Sequence, residues 1–362
     1  MIRSVKRLIQ IVPKLPPSID GLGDYALNLA RELRKRHGVE TSFVVGNSDW
    51  RGASEINGFT IQKLDFGNGC NLSSFLFSRN GGRQADNTVL LHYVGYGYAK
   101  RGCPIGLARN LRQWKAKASG ARLVAVFHEI YAFGPPWRSS FWLSPLQKKL
   151  AGEIAILSDD ILTNRQNYAK SLRLLGFSKK IQVLPVISTI GEPESVSPLS
   201  QRLPRLIVFG HDRRRIYRRS IPKLAQVCEL LGIQEIYDIG PSLGLKLSKI
   251  HGIPVLQLGK MAPHEISRLM TESYAGYFEH DTNFLAKSSI FAAYGAHGMV
   301  PVTGGRYRGD EDGLQRGQHY LMIDRENKVL KSQDLQPIAD NAWKWYDNHK
   351  LSIQADIFNS YL

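Results

Sequence analysis

The sequence predicts an α/β protein built from two doubly wound domains. Three observations carry that expectation. Short apolar runs alternate with amphipathic helical patterns through both halves of the chain. Runs such as Val89–Tyr93 and Arg122–Phe127 are apolar almost throughout, as strands covered by helices on both faces must be. The alternation then restarts after Ser188–Pro204, a polar stretch rich in Ser and Pro with no usable periodicity. At 362 residues the chain is too long for one ordinary core, and 43% hydrophobic content supports two. The expected division is a first domain over 1–190, a linker over 191–204, a second domain over 205–336, and a C-terminal helix in 337–362 packing back toward the first domain.

In order, the first strand is Arg7–Val12, and the loop PKLPPSIDGLGD leads into a helix over Tyr25–Arg36. That helix places Leu27, Ala30 and Leu33 on one face and ends in positive charge before Gly38. Thr41–Val45, Val89–Tyr93 and Arg122–Phe127 continue the sheet, with a helix over Leu107–Ser119. Helix Leu146–Ser158, strand Asp160–Asn164, helix Gln166–Leu175 and strand Ile181–Pro185 complete the first half. The second half reads strand Leu206–Phe209, helix Ile221–Leu231, strand Glu235–Ile239, helix Leu243–Ile250 and strand Val255–Leu258. Helix His264–Thr271, strand Tyr274–Phe278, a helix beginning at Lys287 and strand Pro301–Thr303 follow, and a last helix over Pro337–Asn348 carries Trp343 and Trp345.

The formal charge of +17 points to anionic partners: nucleotide diphosphates, acidic lipid surfaces or nucleic acid. Cys70, Cys103 and Cys228 are odd in number, far apart and without C-x-x-C spacing, which argues against a disulfide framework or a zinc site and for a reducing, cytoplasmic compartment. The N-terminus is basic and then apolar, but its apolar run, Leu8–Val12, is interrupted by Gln10 and is too short for a signal peptide. No run of about 20 apolar residues is present to span a membrane.

Paired α/β domains of this kind bind ligands at the carboxyl ends of their strands, in the cleft where the two are expected to face each other, so the chemistry-bearing motifs are sought there. Phe284–Gly305 (FLAKSSIFAAYGAHGMVPVTGG) combines a Lys-Ser pair, a short apolar helix and a buried strand. Ser288 can cap that helix while Lys287 and the first-turn N–H groups, with Ser289 among them, face a phosphate; a crossover helix with an incidental Lys is the alternative. Phe209–Ser220 (FGHDRRRIYRRS) sets five arginines directly after a strand, suited to diphosphate oxygens or, alternatively, merely solvated.

In the first half, Gly21 and Gly23 precede a helix and bring backbone N–H groups near a phosphate or sugar hydroxyl, or simply form a tight turn with Asp24 as cap. Their spacing is not the dinucleotide fingerprint, since Ala26 stands at the third glycine position. His128 and Glu129 end a fully apolar strand, where a sugar contact or acid/base role competes with a histidine satisfied by nearby backbone. His92, Tyr93 and Tyr96 end a neighbouring strand, and the aromatics suit either a sugar face or turn packing.

With these pieces in this order, the chain resembles the GT-B glycosyltransferases, closest to family 4, over nearly its whole length. The resemblance implies two Rossmann-like domains facing across a cleft. It also implies transfer of a sugar from a nucleotide-diphosphate donor to a glycan or lipid-linked acceptor, with retention of configuration and no required metal or other cofactor. By resemblance, Gly21, Gly23 and His128 lie beside acceptor and donor sugar, and Arg214 and Arg215 hold the donor diphosphate. From their places at strand ends and helix starts, His128, Glu129 and Asp24 are the expected catalytic residues, Lys287, Ser288 and Ser289 the further diphosphate contacts, and Tyr96, Glu279 and Asp281 the further donor or acceptor contacts. The family's acid pair is incomplete: Glu279 is present, but eight residues on stands Lys287. Nucleotide recognition here must therefore differ, or Glu279 and Asp281 serve another contact. Two other readings share the same basic edge: a GT-B-type sugar-nucleotide epimerase and a non-catalytic polyanion- or nucleic-acid-binding protein. Peripheral contact with an anionic membrane face fits the charge, and nucleic acid is not expected.

Overall fold

A computed structural model of the chain describes residues 6–18, 20–66, 72–79, 87–118, 120–211, 213–245, 247–323 and 330–362. Cys70 and Asp212 lie outside these residues. The chain forms two compact units, Met1–Pro185 with Leu351–Leu362, and Val186–Lys350.

The first unit opens with β1 (Arg7–Val12), α1 (Gly21–His37) and β2 (Glu40–Val45). Asp20 caps α1 by accepting from the Leu22 N–H at 3.3 Å, and Gly38, at φ 65°, turns the chain out. Next come β3 (Glu55–Ile56), β4 (Phe59–Lys63), α2 (Leu72–Arg79), β5 (Asn87–Tyr93), α3 (Gly95–Tyr98), α4 (Ile105–Lys117) and β6 (Arg122–Phe127). The unit continues with α5 (Ser139–Leu157), β7 (Asp160–Thr163), α6 (Gln166–Leu174) and β8 (Ile181–Val183). Its sheet runs β3-β4-β2-β1-β5-β6-β7-β8, parallel except for the β3–β4 hairpin. One face of the sheet packs Trp114, Leu111 and Leu150, and the other packs Leu27, Ala30 and Phe59. The near-continuous apolar strands follow from that double cover.

The second unit comprises β9 (Leu203–Phe209), α7 (Arg214–Arg219), α8 (Ile221–Leu231), β10 (Glu235–Ile239), β11 (Lys249–Ile250), β12 (Ile253–Gly259), α9 (Pro263–Glu272) and β13 (Ser273–Phe278). It closes with α10 (Ser289–Ala296), β14 (Val300–Thr303), β15 (Leu321–Met322) and α11 (Ser332–Asp347), after which α12 (Leu351–Asn359) belongs to the first unit. The strand order is β11-β12-β10-β9-β13-β14-β15, again parallel apart from one hairpin.

Several expectations are corrected. The chain divides after Pro185 rather than at 191–204, because the Ser/Pro segment is packed into the second unit. Leu199 is buried and its N–H donates to Gln336 Oε1 at 2.7 Å, while Arg202 Nη1 reaches the His297 carbonyl at 2.9 Å. The helix expected to return to the first domain, Pro337–Asn348, instead lies in α11, where Trp345 meets Phe291 edge-on at 5.4 Å. The returning element is α12. The described residues of the expected helix Leu243–Ile250, 243–245 and 247–250, are not helical: Gly244 sits at φ 64°, and Gln257 Nε2 donates to the carbonyls of Leu245 and Leu247, both at 3.0 Å. Gly21 and Gly23 belong to the first turn of α1 and do not precede it, so the cap is Asp20 and not Asp24. Of the arginine segment, Arg214–Arg219 form the short helix α7, with Arg213 just before it. Cys103 and Cys228 are free thiols.

Candidate functional site

In each sheet the connections reverse direction at one place, between β1 and β5 in the first unit and between β9 and β13 in the second. The carboxyl ends of strands at such a reversal leave a crevice free of crossing helices. Both sets of sequence-marked residues fall at these points.

In the second unit, β9 ends at Phe209 and turns at Gly210, whose φ of 124° excludes most side chains. The five arginines of the following segment do not act together. Arg213 is fully buried: Nε meets Asp238 Oδ1 at 2.5 Å, Nη2 meets Oδ2 at 3.2 Å, and its guanidinium also donates to the carbonyls of Gly210 and Pro241. Tyr217 adds a hydroxyl to Asp238 Oδ1 at 3.0 Å. This cluster ties the loop after β9 to the loop after β10. Arg214 donates to the Leu243 carbonyl at 2.8 Å and does not line the cavity described next. Arg218 and Arg219 are exposed. Arg215 alone of the run enters the crevice, with Nε 3.5 Å from Glu279 Oε2.

That crevice is a cavity of about 460 Å³ lined by Arg215, Glu279, His280, Asp281, Phe284, Lys287, Ser288 and Arg306. Its floor depends on two glycines. A Cβ on Gly304 would lie 2.0 Å from the Tyr277 hydroxyl, and one on Gly305 would lie 2.0 Å from the His280 carbonyl, so the turn after β14 passes directly beneath the loop after β13. Glu279 is held there by the Tyr277 hydroxyl at 3.2 Å, and Asp281 accepts from the Arg306 N–H at 3.0 Å.

Ser288 caps α10, its Oγ accepting from the Phe291 N–H at 3.1 Å. The same Oγ lies 2.8 Å from His280 Nδ1, to which the hydroxyl can donate. Burial, and then the Lys287 charge, hold the His280 imidazole below its ordinary range and keep it neutral, against the opposing pull of Asp281. Ser289 is the first helical residue and half-buried; its side chain is not part of the cavity wall, but its backbone N–H stands in the unpaired first turn of α10. The result is a basic corner with three cations, Arg215, Lys287 and Arg306, and one helix N-terminus, flanked by two carboxylates.

In the first unit, a buried polar line crosses the sheet at its reversal point. Gln10 of β1 meets His92 Nε2 through Oε1 at 2.8 Å, and His92 Nδ1 lies 3.1 Å from His128 Nε2. Both rings stack at 5.4 Å, with Tyr25 edge-on to each. Burial drives the His92 pKa well below its ordinary value, so His92 is neutral. With Gln10 Oε1 placed as an acceptor, His92 carries its proton on Nε2, Nδ1 accepts from His128 Nε2–H, and Nδ1 becomes the basic nitrogen of His128. His128 is therefore neither isolated nor satisfied by backbone alone. Glu129 is exposed beside it, and its N–H shares the Tyr93 carbonyl with that of His128.

Asp24 lies one turn into α1, and burial together with the nearby Asp20 raises its pKa to about 6. Gly21 is exposed, and Gly23 is buried against the β1–α1 turn, where a Cβ would stand 2.6 Å from the Lys14 carbonyl. Tyr96 is half-exposed, with its hydroxyl 3.2 Å from Gln147 Nε2. Sequence reading overlooked Gln10, Asp20, His280 and Arg306 as site residues. Gln10 alone carried a signal, as the one polar residue inside an apolar strand. Among the described residues no group of three His, Cys, Asp or Glu side chains is arranged to hold a metal ion.

No protein-family model and no curated protein sequence matches this chain. Solved structures do. A glycosyltransferase from Rickettsia africae superposes with a TM-score of 0.61 at 10% identity, over 99% of this chain and 98% of its own. An alpha-glucosyltransferase solved with UDP and a 13-mer DNA gives 0.59 at 12% identity, over 99% of both chains. A putative UDP-N-acetylglucosamine 2-epimerase from Listeria monocytogenes gives 0.54 at 14%, over 99% of this chain and 96% of its own. At these identities the likeness establishes the fold, an α/β protein of two Rossmann-like domains.

Proposed function

We propose that the protein is a glycosyltransferase that takes a sugar from a nucleotide-diphosphate donor and passes it to a glycan or lipid-linked acceptor. The observation that carries this reading is the basic corner at the β9/β13 reversal, where Arg215, Lys287 and the Ser288-capped start of α10 meet in one cavity. When the bond between sugar C1 and the diphosphate oxygen breaks and the acceptor hydroxyl oxygen bonds to C1, its proton passing to a base on the acceptor side, negative charge builds on the departing diphosphate. Preorganised cations and helix N–H groups lower the barrier where that charge appears. The proposal assigns this role to protein cations, so no metal is called for. Glu279 and Asp281 at the cavity wall are suited to donor hydroxyls. His128, with Nδ1 as its basic nitrogen, and Asp24 are assigned to the acceptor-side chemistry of the first unit.

The fold is shared by glycosyltransferases and by the epimerase, so the choice between them rests on product. Incubation with nucleotide sugars should yield nucleoside diphosphate only when an acceptor is present; conversion of the donor sugar without release of nucleoside diphosphate would establish the epimerase instead. The anomeric configuration of the product, read by NMR, tests retention. For the site itself, UDP or GDP should raise the melting temperature, and Lys287→Ala or Arg215→Ala should reduce the affinity at least tenfold, the loss of about one charge-assisted phosphate contact. Equal shifts in wild type and both variants would remove these residues from the donor site.

A further inference from the structure

We infer that the first unit carries a docking surface for an anionic lipid bilayer, formed by the segment between β6 and α5 and the first turns of α5. The observation is an exposed aromatic cluster. Trp137 is 84% exposed, Phe133 75%, Trp142 71% and Phe141 44%, all within ten residues. Four large rings left in water at one place require a partner, since an apolar surface of this kind is a liability on a free protein.

The cluster is built rather than frayed. Trp142 Nε1 donates to the Pro136 carbonyl at 2.8 Å, Phe141 and Trp142 meet edge-on at 5.3 Å, and Lys148 lies over the rings of Tyr131 and Phe133 at 4.9 and 5.3 Å. Buried Gln147 accepts from the Ala132 N–H at 2.8 Å and donates to the Arg101 carbonyl at 2.8 Å, fastening the segment to the loop that holds Lys100 and Arg101.

Charge selects the partner. From Asn87 to Gly152 the chain holds ten Lys and Arg residues and a single acid, Glu129. Within the segment itself Arg138, Lys148 and Lys149 stand among the aromatics with no carboxylate between Ile130 and Gly152. Tryptophan, phenylalanine and lysine together suit the headgroup layer, where rings enter the acyl boundary and ammonium groups meet lipid phosphates. No helix among the described residues is long and apolar enough to cross a membrane, so the contact is made at the surface. The segment leaves the sheet directly after His128 and Glu129. Docking would thus bring that strand end to the bilayer, which suits a lipid-linked acceptor if the glycosyltransferase reading holds. The docking itself does not depend on it.

The test uses the full chain and vesicles. Binding to phosphatidylcholine vesicles containing phosphatidylglycerol should exceed binding to phosphatidylcholine alone by at least about tenfold and fall in high salt, each surface cation contributing about fivefold. Tryptophan emission should shift to the blue and be quenched by brominated acyl chains. Trp137→Ser with Trp142→Ser, both exposed and so compatible with folding, should lower the partition coefficient about tenfold or more and abolish the quenching. Arg138→Gln with Lys149→Gln should lower it without removing the quenching that remains. Nucleotide-dependent thermal shifts measured on the same variants should be unchanged, which separates this surface from the donor site. Equal binding to neutral and anionic vesicles, binding unaffected by the tryptophan pair, or preferential binding of single-stranded DNA or heparin through the same rings would overturn the proposal.

Discussion

Asp24 shows how one residue's environment sets a measurable property. Its carboxyl sits partly buried beside Asp20, which raises its pKa from 3.8 to about 6 in the folded protein. The folded state then holds the proton more tightly than the unfolded chain, so folding stability is highest with Asp24 protonated. The Asp24 contribution declines as pH rises from about 4 to about 6 and is level beyond. Asp24→Asn removes that decline. Above pH 7 the variant should be more stable than wild type by about 1 kcal/mol, less than the shift alone would imply because the carboxyl is partly in water. Urea titrations at pH 4, 5, 6 and 7.5 check this, and two curves that stay parallel across the window would show that Asp24 is not perturbed. At this scale little was legible beforehand. His128 and Lys287 stood out because polar groups at strand ends and helix starts are rare and cheap to spot. Gln10 and His280 did not, because what matters about each is the neighbour it meets, His92 across the sheet and Ser288 eight residues on.

Among elements, periodicity located the core helices and strands and failed where side chains have no buried face to report. Ile221–Leu231 and Glu235–Ile239 were read to the residue because each buries one side. The first turns of α5 escape the pattern because Phe141 and Trp142 face water there, so the apolar periodicity starts too late. The hairpin β3–β4 was overlooked although Asn57–Gly58, with φ of 52° and 72°, is a strong local turn signal. Gly305→Ala forces the β14 turn against the His280 carbonyl and should cost about 1–3 kcal/mol of stability through overpacking. Because the displaced loop carries Glu279 and Asp281, it should also weaken nucleotide binding. An unchanged denaturation midpoint together with an unchanged nucleotide shift would show that the two loops are not in contact as described.

At the scale of the whole molecule, the chain crosses between units twice, at Pro185–Val186 and at Lys350–Leu351. The second crossing adds α12 to α1. Tyr25 donates to Gln354 Oε1 at 2.8 Å, Gln354 Nε2 donates to the Pro185 carbonyl at 2.7 Å, and Arg36 with His37 grips Asp356. Deleting Leu351–Leu362 leaves the buried Tyr25 hydroxyl unpaired and uncovers the surface under Phe358. The first unit should lose about 3–5 kcal/mol, the scale of a large core truncation. Calorimetry should show its transition moving down while nucleotide still stabilises the second unit. A single transition that does not move would mean that α12 contributes nothing to the first unit.

The sequence by itself determined the fold class, the two-unit plan and the strand ends where polar side chains collect, because burial on both faces of a parallel sheet writes a local pattern into every strand and helix. Only the tertiary structure decided which arginine of five enters the cavity, which histidine orients His128, and which helix returns to the first unit. Those outcomes depend on pairs of groups distant in sequence, Arg213 with Asp238, Gln10 with His92, Tyr25 with Gln354, and no periodicity records a partner that lies elsewhere in the chain.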